Sequence, residues 1–514
     1  MKLRSHDSTA ATVAGILFVV IVAAVIRLWG VSWGLPYTYH ADEPVNLTRT
    51  LDMLQRRSVD PEFYNYPPFF YYVEAGGQLA YYGVGSLSGE FSSIDDISLP
   101  ESQTLANGRL GNPNSLLAGR MISVALGIGA VGIVFASILA VTSSMSGAVV
   151  GSLLLALGPL AVRQTRFMTP DALATFFVAA VLALSFLIYR RSRMLDYIGA
   201  GIAIGLAGSS KYHVAVVAVA VVVAHIMRTE ARFYRDPKIY VSGAIAAGTF
   251  LATSFIIFFD LPAFWAEFAW KQGAYSGSGG GGIDSLWFYV QAIGTETGPL
   301  LLLIPFGFLL LRTRGETIVA VAFAVVYLVV IAMFVLRFER HVLPALPAIA
   351  MAVGFGVAGL YDVVRAWTSE RSPVEGRFIV GTAIISLLVA ASVPLSSTFS
   401  DGQRYSSDER ADARAFVNTL PAGSRILVDG YSPFVEPGRF DVVPTGFVVT
   451  DTSDPALYDY VTVAELGSGR FLDDPQRYPI QSSGFDDRFA SFCTVGFFAG
   501  PPWQMVLASD CPEG

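Results

Sequence analysis

Apolar runs recur along this chain at lengths close to the roughly 20 residues a helix needs to cross a bilayer. They cover residues 11–29, 118–141, 147–162, 172–189, 197–209, 214–227, 239–259, 286–311, 318–336, 342–361 and 378–394. That makes about eleven candidate spans. Only 15% of the 514 residues are charged, against about 25% in a soluble globular chain. Mean hydropathy is +0.53. A disordered chain is excluded by this composition, and a nucleic-acid binder by the net charge of −7 and the lack of a basic face. The first run follows Lys2 and Arg4. It is long for a signal peptide and lacks a clear small-x-small cleavage site, so it reads as an anchor.

Lys and Arg in short loops set the orientation. With the N-terminus in the cytoplasm, the alternating loops hold Arg190, Arg191 and Arg193; Arg228, Arg232, Arg235 and Lys238; Arg312 and Arg314; and Arg365, Arg371 and Arg377. This places everything after Pro394 outside. Segment 66–85 (YPPFFYYVEAGGQLAYYGVG) tests the count. If it crossed, every later loop would invert. Its many Tyr residues, Glu74 and Gln78 suit an interfacial helix in the headgroup region. The first outer loop is then long, about 30–118.

The expected architecture is an all-α polytopic membrane domain over 1–399, with interfacial helices in its first outer loop, and a small extracytoplasmic α/β domain over 400–514. In that tail, 411–420 reads as a helix, and 425–429 and 460–464 as short buried strands. Both cysteines of the chain, Cys493 and Cys511, lie there. A bridge between them fits an oxidising compartment, with two unpaired thiols as the alternative. The expected location is the plasma membrane.

Charged residues gather at the outer ends of the spans. The first loop opens Tyr39-His40-Ala41-Asp42-Glu43-Pro44. Its adjacent carboxylates suit a general base with a neighbour that tunes it, and His40 could join them around a divalent metal. The same residues suit an acidic helix start. Arg163, Arg166 and Asp171 share the second outer loop, where Asp171 after Pro170 also fits a helix's first turn. Lys211 precedes Tyr212-His213, and Arg337, Arg340 and His341 lie in a later outer loop. Isolated cations at such sites snorkel, whereas several on one face suit an anionic headgroup, with phosphate the obvious candidate. Loop 261–283 carries Phe264, Trp265, Glu267, Trp270 and Lys271, then a run of glycines without the features of a phosphate loop.

In this order and outer placement, the pieces resemble the C-fold (GT-C) glycosyltransferases, in the branch of protein O-mannosyltransferases and lipid A aminoarabinose transferases. The pieces are Asp42-Glu43, Tyr66-Pro67-Pro68, Arg166…Pro170-Asp171, Gly205-Leu-Ala-Gly-Ser-Ser-Lys211-Tyr212, Pro262-Ala-Phe264-Trp265 and Arg340-His341-Val-Leu-Pro344. The resemblance implies transfer of a sugar from a polyprenyl-phosphate donor to an acceptor on the outer face, with inversion. It implies Asp42 as base, with Glu43 beside it and Asp171 as a second acid. It implies Lys211, Arg340, His341 and Arg166 around the donor phosphate, and Tyr66, Tyr212 and Trp265 against substrate. The chain departs from the aminoarabinose branch at Asn65-Tyr66, where that branch has Glu-Lys before its prolines. No cofactor is assigned, and a divalent metal is the one candidate. The expected partners are the donor lipid, the bilayer and an acceptor of unspecified class, with no nucleic acid. A lipid or glycan flippase is the rival reading. It would place ionisable residues or broken helices at mid-membrane, whereas here the charges sit at span ends.

Overall fold

The computed structural model describes residues 3–103, 107–276, 281–309, 313–368, 392, 394–400, 402, 409–445, 457–476, 478–500 and 503–511. In chain order these form α1 (Leu3–Leu28), β1 (Tyr37–Thr38), α2 (Asp42–Gln55), α3 (Pro68–Ser88), β2 (Glu101–Ser102), β3 (Gly108–Arg109), α4 (Pro113–Thr142), α5 (Met145–Leu157), α6 (Pro159–Gln164), α7 (Pro170–Arg191), α8 (Met194–Ser210) and α9 (Ala218–Thr229). There follow α10 (Pro237–Thr253), α11 (Leu261–Ser276), α12 (Ile283–Thr297), α13 (Ile304–Leu309), α14 (Arg314–Ala332) and α15 (Leu346–Thr368). The tail contributes α16 (Glu409–Val417), β4 (Arg425–Val428), β5 (Asp441–Pro444), β6 (Tyr460–Ala464), α17 (Glu465–Asp473), α18 (Pro479–Ser491), β7 (Cys493–Phe498) and β8 (Gln504–Ala508).

Among the described residues, the apolar runs expected from 11–29 to 342–361 lie mostly on helix. The last, 378–394, lies almost wholly outside the described residues. Among the described residues, 7 helical stretches are long and apolar enough to cross a membrane, and Met145–Leu157 and Met194–Ser210 are shorter apolar helices. The protein is a multi-pass membrane protein. α3 has 21 residues, but it is not among the 7 stretches apolar enough to span.

The chain forms two compact units. The first comprises Met1–Val31, Ser58–Gly76 and Arg120–Asp401. Its core is one continuous cluster of Ala, Val, Leu and Phe drawn from the apolar helices. Small residues let some of these helices touch backbone to backbone. A Cβ on Gly201 of α8 would lie 2.5 Å from the Ser242 carbonyl of α10, and one on Gly205 would lie 2.6 Å from that of Ala246. Lys211 follows directly on α8, so this contact fixes where it emerges.

Run 147–162 is not one helix. It breaks at Gly158-Pro159 into α5 and α6, which strands backbone groups in apolar surroundings. Two buried charges satisfy them. Arg27 donates to the Ala156 and Leu155 carbonyls at the end of α5, at 2.8 and 3.0 Å. Glu296 accepts from the Leu160 amide at the start of α6, at 2.6 Å. Each charge also matches the sign of the helix end it meets.

The second unit comprises Ser32–Arg57, Gly77–Gly119 and Gly402–Gly514. Two pieces of the first loop, expected within 1–399, thus group with the tail. Their bonds to it explain why. The Arg410 guanidinium lies 3.8 Å from the centre of the Tyr39 ring and 4.7 Å from that of Trp33. Arg414 lies 3.9 Å from the Tyr37 ring centre and donates to the Tyr39 hydroxyl at 2.8 Å. The Val435 amide donates to Gln103 Oε1 at 3.1 Å, and Asn107 Nδ2 to the Pro433 carbonyl at 3.0 Å. β1, β3 and β2 form a small antiparallel sheet in that order. The tail's five-stranded sheet runs β5-β4-β6-β8-β7, parallel among β5, β4 and β6 and antiparallel beyond. Cys493 and Cys511 form a disulfide, with Cα atoms 5.4 Å apart.

Candidate active site

The first unit contains a cavity of about 370 Å³. Three segments meet there, each interrupting regular helix. Asn65, Tyr66 and Pro67 immediately precede α3. Lys211, Tyr212 and His213 follow α8, where the backbone turns extended at Lys211 (φ −155°, ψ 119°) before a 3-10 turn. Arg340 and His341 lie on the 3-10 turn Glu339–Ala345, ahead of α15. Such breaks sit where helices cannot continue, and they turn side chains inward that a straight helix would present sideways. α11 closes the wall with Phe268, Lys271 and Gln272, residues at i, i+3 and i+4 on one helix face.

The side chains are held in place. Lys211 Nζ donates to Asp171 Oδ1 at 2.6 Å, with both groups buried. Asp171 sits in the first turn of α7, after Pro170, so the pair joins the start of α7 to the end of α8. Lys271 Nζ donates to the Asn65 carbonyl and lies 4.4 Å from the centre of the Tyr66 ring, a cation–π arrangement. The Tyr212 hydroxyl donates to the Tyr64 carbonyl at 3.1 Å. The Tyr64 amide donates to Glu267 Oε2 at 2.6 Å, and burial, reinforced by the Asp60 carboxylate, pushes its phenol above the usual range. His341 Nδ1 lies 3.0 Å from the Tyr289 hydroxyl, and its carbonyl accepts from Tyr327 at 2.9 Å. The Arg340 guanidinium lies 5.0 Å from the Phe338 ring centre. Three cations therefore converge on one cavity, and the Asp171 carboxylate pairs with Lys211. In apolar surroundings such charges act on an anion far more strongly than in water.

Of the residues singled out in the sequence, Tyr66, Lys211, Tyr212, Arg340 and His341 line this cavity, and Asp171 joins through Lys211. Two do not. Arg166 is buried elsewhere and donates to the Ile26 carbonyl at 2.8 Å; its charge serves the end of α1. Trp265 is 58% exposed and packs edge-on against Phe264 and Phe268. The ring that α11 gives the cavity is that of Phe268, one turn further on. Asp42 and Glu43 belong to the second unit. They form the acidic first turn of α2, where carboxylates complement the helix dipole. Glu43 is fully buried, and the Asp42 amide donates to His40 Nδ1 at 3.2 Å, which occupies one of the nitrogens a metal would use. Among the described residues, no group of three or more His, Cys, Asp or Glu is placed to hold a metal ion. Sequence reasoning left Lys271, His213 and Asn65 without a role. The spacing of Phe268, Lys271 and Gln272 on one helical face was the signal available for the first.

A family model described as dolichyl-phosphate-mannose-protein mannosyltransferase matches residues 110–256. No curated protein matches the chain by sequence. The fold is similar to that of ArnT from Cupriavidus metallidurans bound to undecaprenyl phosphate, at 14% identity and a TM-score of 0.56, over 97% of this chain and 98% of that one. The apo state of the same protein gives 0.52 at 14% identity, with the same coverage of both chains. The archaeal oligosaccharyltransferase AglB from Archaeoglobus fulgidus, in complex with an inhibitory peptide and a dolichol-phosphate, gives 0.51 at 13% identity, over 97% of this chain and 74% of that one.

Proposed function

We propose that this chain, which has the GT-C fold and resembles the O-mannosyltransferase and aminoarabinose-transferase branch, moves a sugar from a polyprenyl-phosphate donor to an acceptor on the outer face of the membrane. The observation that carries the reading is the convergence of Lys211, Lys271 and Arg340 on one cavity beside the apolar helices. A lipid phosphate holds its charge at the membrane surface, next to its own tail, and needs cations at that depth. ArnT and AglB, whose folds this chain shares, were each solved with a polyprenyl-type phosphate.

The chemistry needs few parts. Polyprenyl phosphate is a good leaving group, so no general acid is required. The acceptor oxygen attacks the anomeric carbon as the bond from that carbon to the phosphate oxygen breaks. The acceptor proton passes to a base, and the electron pair goes to phosphate, where Lys271 and Arg340 stabilise it. Asp42 is the proposed base and Glu43 the neighbour that tunes it. Asp171 holds Lys211 in position, and His341 and Tyr212 shape the wall. A single displacement of this kind inverts the anomeric centre.

The test is mass spectrometry of cell-envelope glycans and glycoproteins from a strain lacking the gene. A sugar should be missing, and the wild-type gene should restore it. Asp42→Asn keeps the size but removes the base, so it should cut the rate roughly 10²–10⁴-fold and fail to restore the sugar. Unaltered glycans in the deletion strain would overturn the transferase reading. Full restoration by Asp42→Asn would remove that residue from the base role alone.

A further inference from the structure

The tail shares a compact unit with the segment that carries Asp42, and its helix α16 meets that segment just upstream of the carboxylate. Apolar residues seat α16 on the tail sheet. Val417 packs in one cluster with Ile426, Val428 and Val506, and Phe416 meets Phe498 edge-on at 5.9 Å. Arg410 and Arg414, at i and i+4 on one side of the helix, both reach the first loop. Arg410 is fully buried, lies over the Tyr39 and Trp33 rings, and donates to the Tyr39 carbonyl at 3.3 Å. Arg414 donates to the Tyr39 hydroxyl at 2.8 Å. Tyr39 is thus held at its ring, its hydroxyl and its carbonyl.

From Tyr39 to Asp42 the chain has little slack. The Glu43 amide donates to the His40 carbonyl at 3.2 Å, and the Asp42 amide to His40 Nδ1 at 3.2 Å. On the other side, Tyr37 and Thr38 pair with Arg109 and Gly108 in the small sheet. A displacement of Tyr39 therefore passes through His40 and Ala41 to Asp42. Stability alone does not call for a buried arginine here, since apolar side chains of similar volume often serve as well or better. What the two guanidiniums add is direction, because each bond fixes where one atom of Tyr39 lies. We infer that Arg410 and Arg414 are positioning residues for Asp42, and that the tail serves to hold the base in place. This rests on reading Asp42 as the base. A general base acts only within hydrogen-bond reach of its proton, and a misplacement of about 1 Å can cost about 10²-fold in rate.

The experiment follows how fast the missing sugar reappears in the envelope after each variant is induced in the deletion strain, per copy of protein. Arg414→Gln and Tyr39→Phe remove the same bond from opposite ends, and both leave Arg410 over the Tyr39 position's ring. Each should slow reappearance about tenfold, and the double variant should be no slower than either single. Arg410→Gln should slow it by about 10²-fold. Two measurements on the purified full chain in detergent separate positioning from general damage. Polyprenyl phosphate should bind each variant as tightly as wild type, because its proposed site lies in the first unit. Amide exchange at Asp42 and Glu43 should quicken in each variant. Normal reappearance in both Arg414→Gln and Tyr39→Phe, with Asp42→Asn failing, would overturn the inference and leave the base reading standing. Slowing without faster exchange at Asp42 and Glu43 would overturn it too, as would an equal loss of polyprenyl phosphate binding. Unaltered glycans in the deletion strain, or full restoration by Asp42→Asn, would overturn the reading beneath the inference and the inference with it.

Discussion

Lys211 and Asp171 illustrate how a buried charge is kept in an apolar helix bundle. Desolvating either ion alone is costly, and their mutual attraction offsets this only while both are present. Removing one partner by Asp171→Asn or Lys211→Met should therefore cost roughly 3–5 kcal/mol. The double variant Asp171→Leu with Lys211→Met should cost much less than the sum of the singles. Thermal unfolding of the purified protein in detergent checks this, and strictly additive losses would show the pair to be uncoupled. The sequence displayed both residues, because charges at the ends of apolar runs stand out against their background. It did not pair them, since nothing in the order of residues says that the start of α7 faces the end of α8. Lys271 was harder still. Whether a lysine on an aromatic-rich helix faces a cavity or the surroundings depends on rotation about the helix axis, and a packed neighbour decides that.

At the scale of elements, the contact between α8 and α10 is set by the absence of side chains. Gly205→Val would place methyl groups against the Ala246 carbonyl and Thr249, at a cost of about 1–3 kcal/mol in overpacking. Because Lys211 ends the same helix, the change should also weaken donor-lipid binding. Gly243 of α10 has open space around it, so Gly243→Val should leave both melting temperature and binding near wild type. Equal effects of the two substitutions would show that the close approach does not matter. The spans were legible because each needs a long uninterrupted apolar stretch. The break between α5 and α6 was hidden for the same reason: apolarity runs straight through it, and only Gly158-Pro159 marks it. In the tail, β4 and β6 were visible as buried β-branched runs. β5, β7 and β8 were not; β5 and β7 are sheet edges whose residues are at most half-buried.

For the molecule as a whole, the reading depends on which side of the membrane each loop occupies. α3 should lie along the surface and not cross it, which would leave the loop after it and the tail on one outer side. Ser93→Cys and Ser400→Cys should then both react with a membrane-impermeant thiol reagent in intact cells. The two native cysteines are bonded to each other, so background labelling should be low. Labelling at 400 without labelling at 93 would mean that α3 crosses, and Asp42 would lose its proposed role. The composition of the second unit has a separate consequence for biosynthesis. Its aromatic anchor, Tyr39, meets Arg410 across 371 residues of sequence. At a synthesis rate of roughly 5–20 residues per second, those partners are made about 20–75 seconds apart. Throughout that interval Trp33, Tyr37 and Tyr39 have no arginines to cover them, and they stand open to proteases and chaperones while the helical bundle is inserted. The wait ends only when Arg410 and Arg414 are made, so the first-made part of this unit is completed by residues that follow the whole helical bundle.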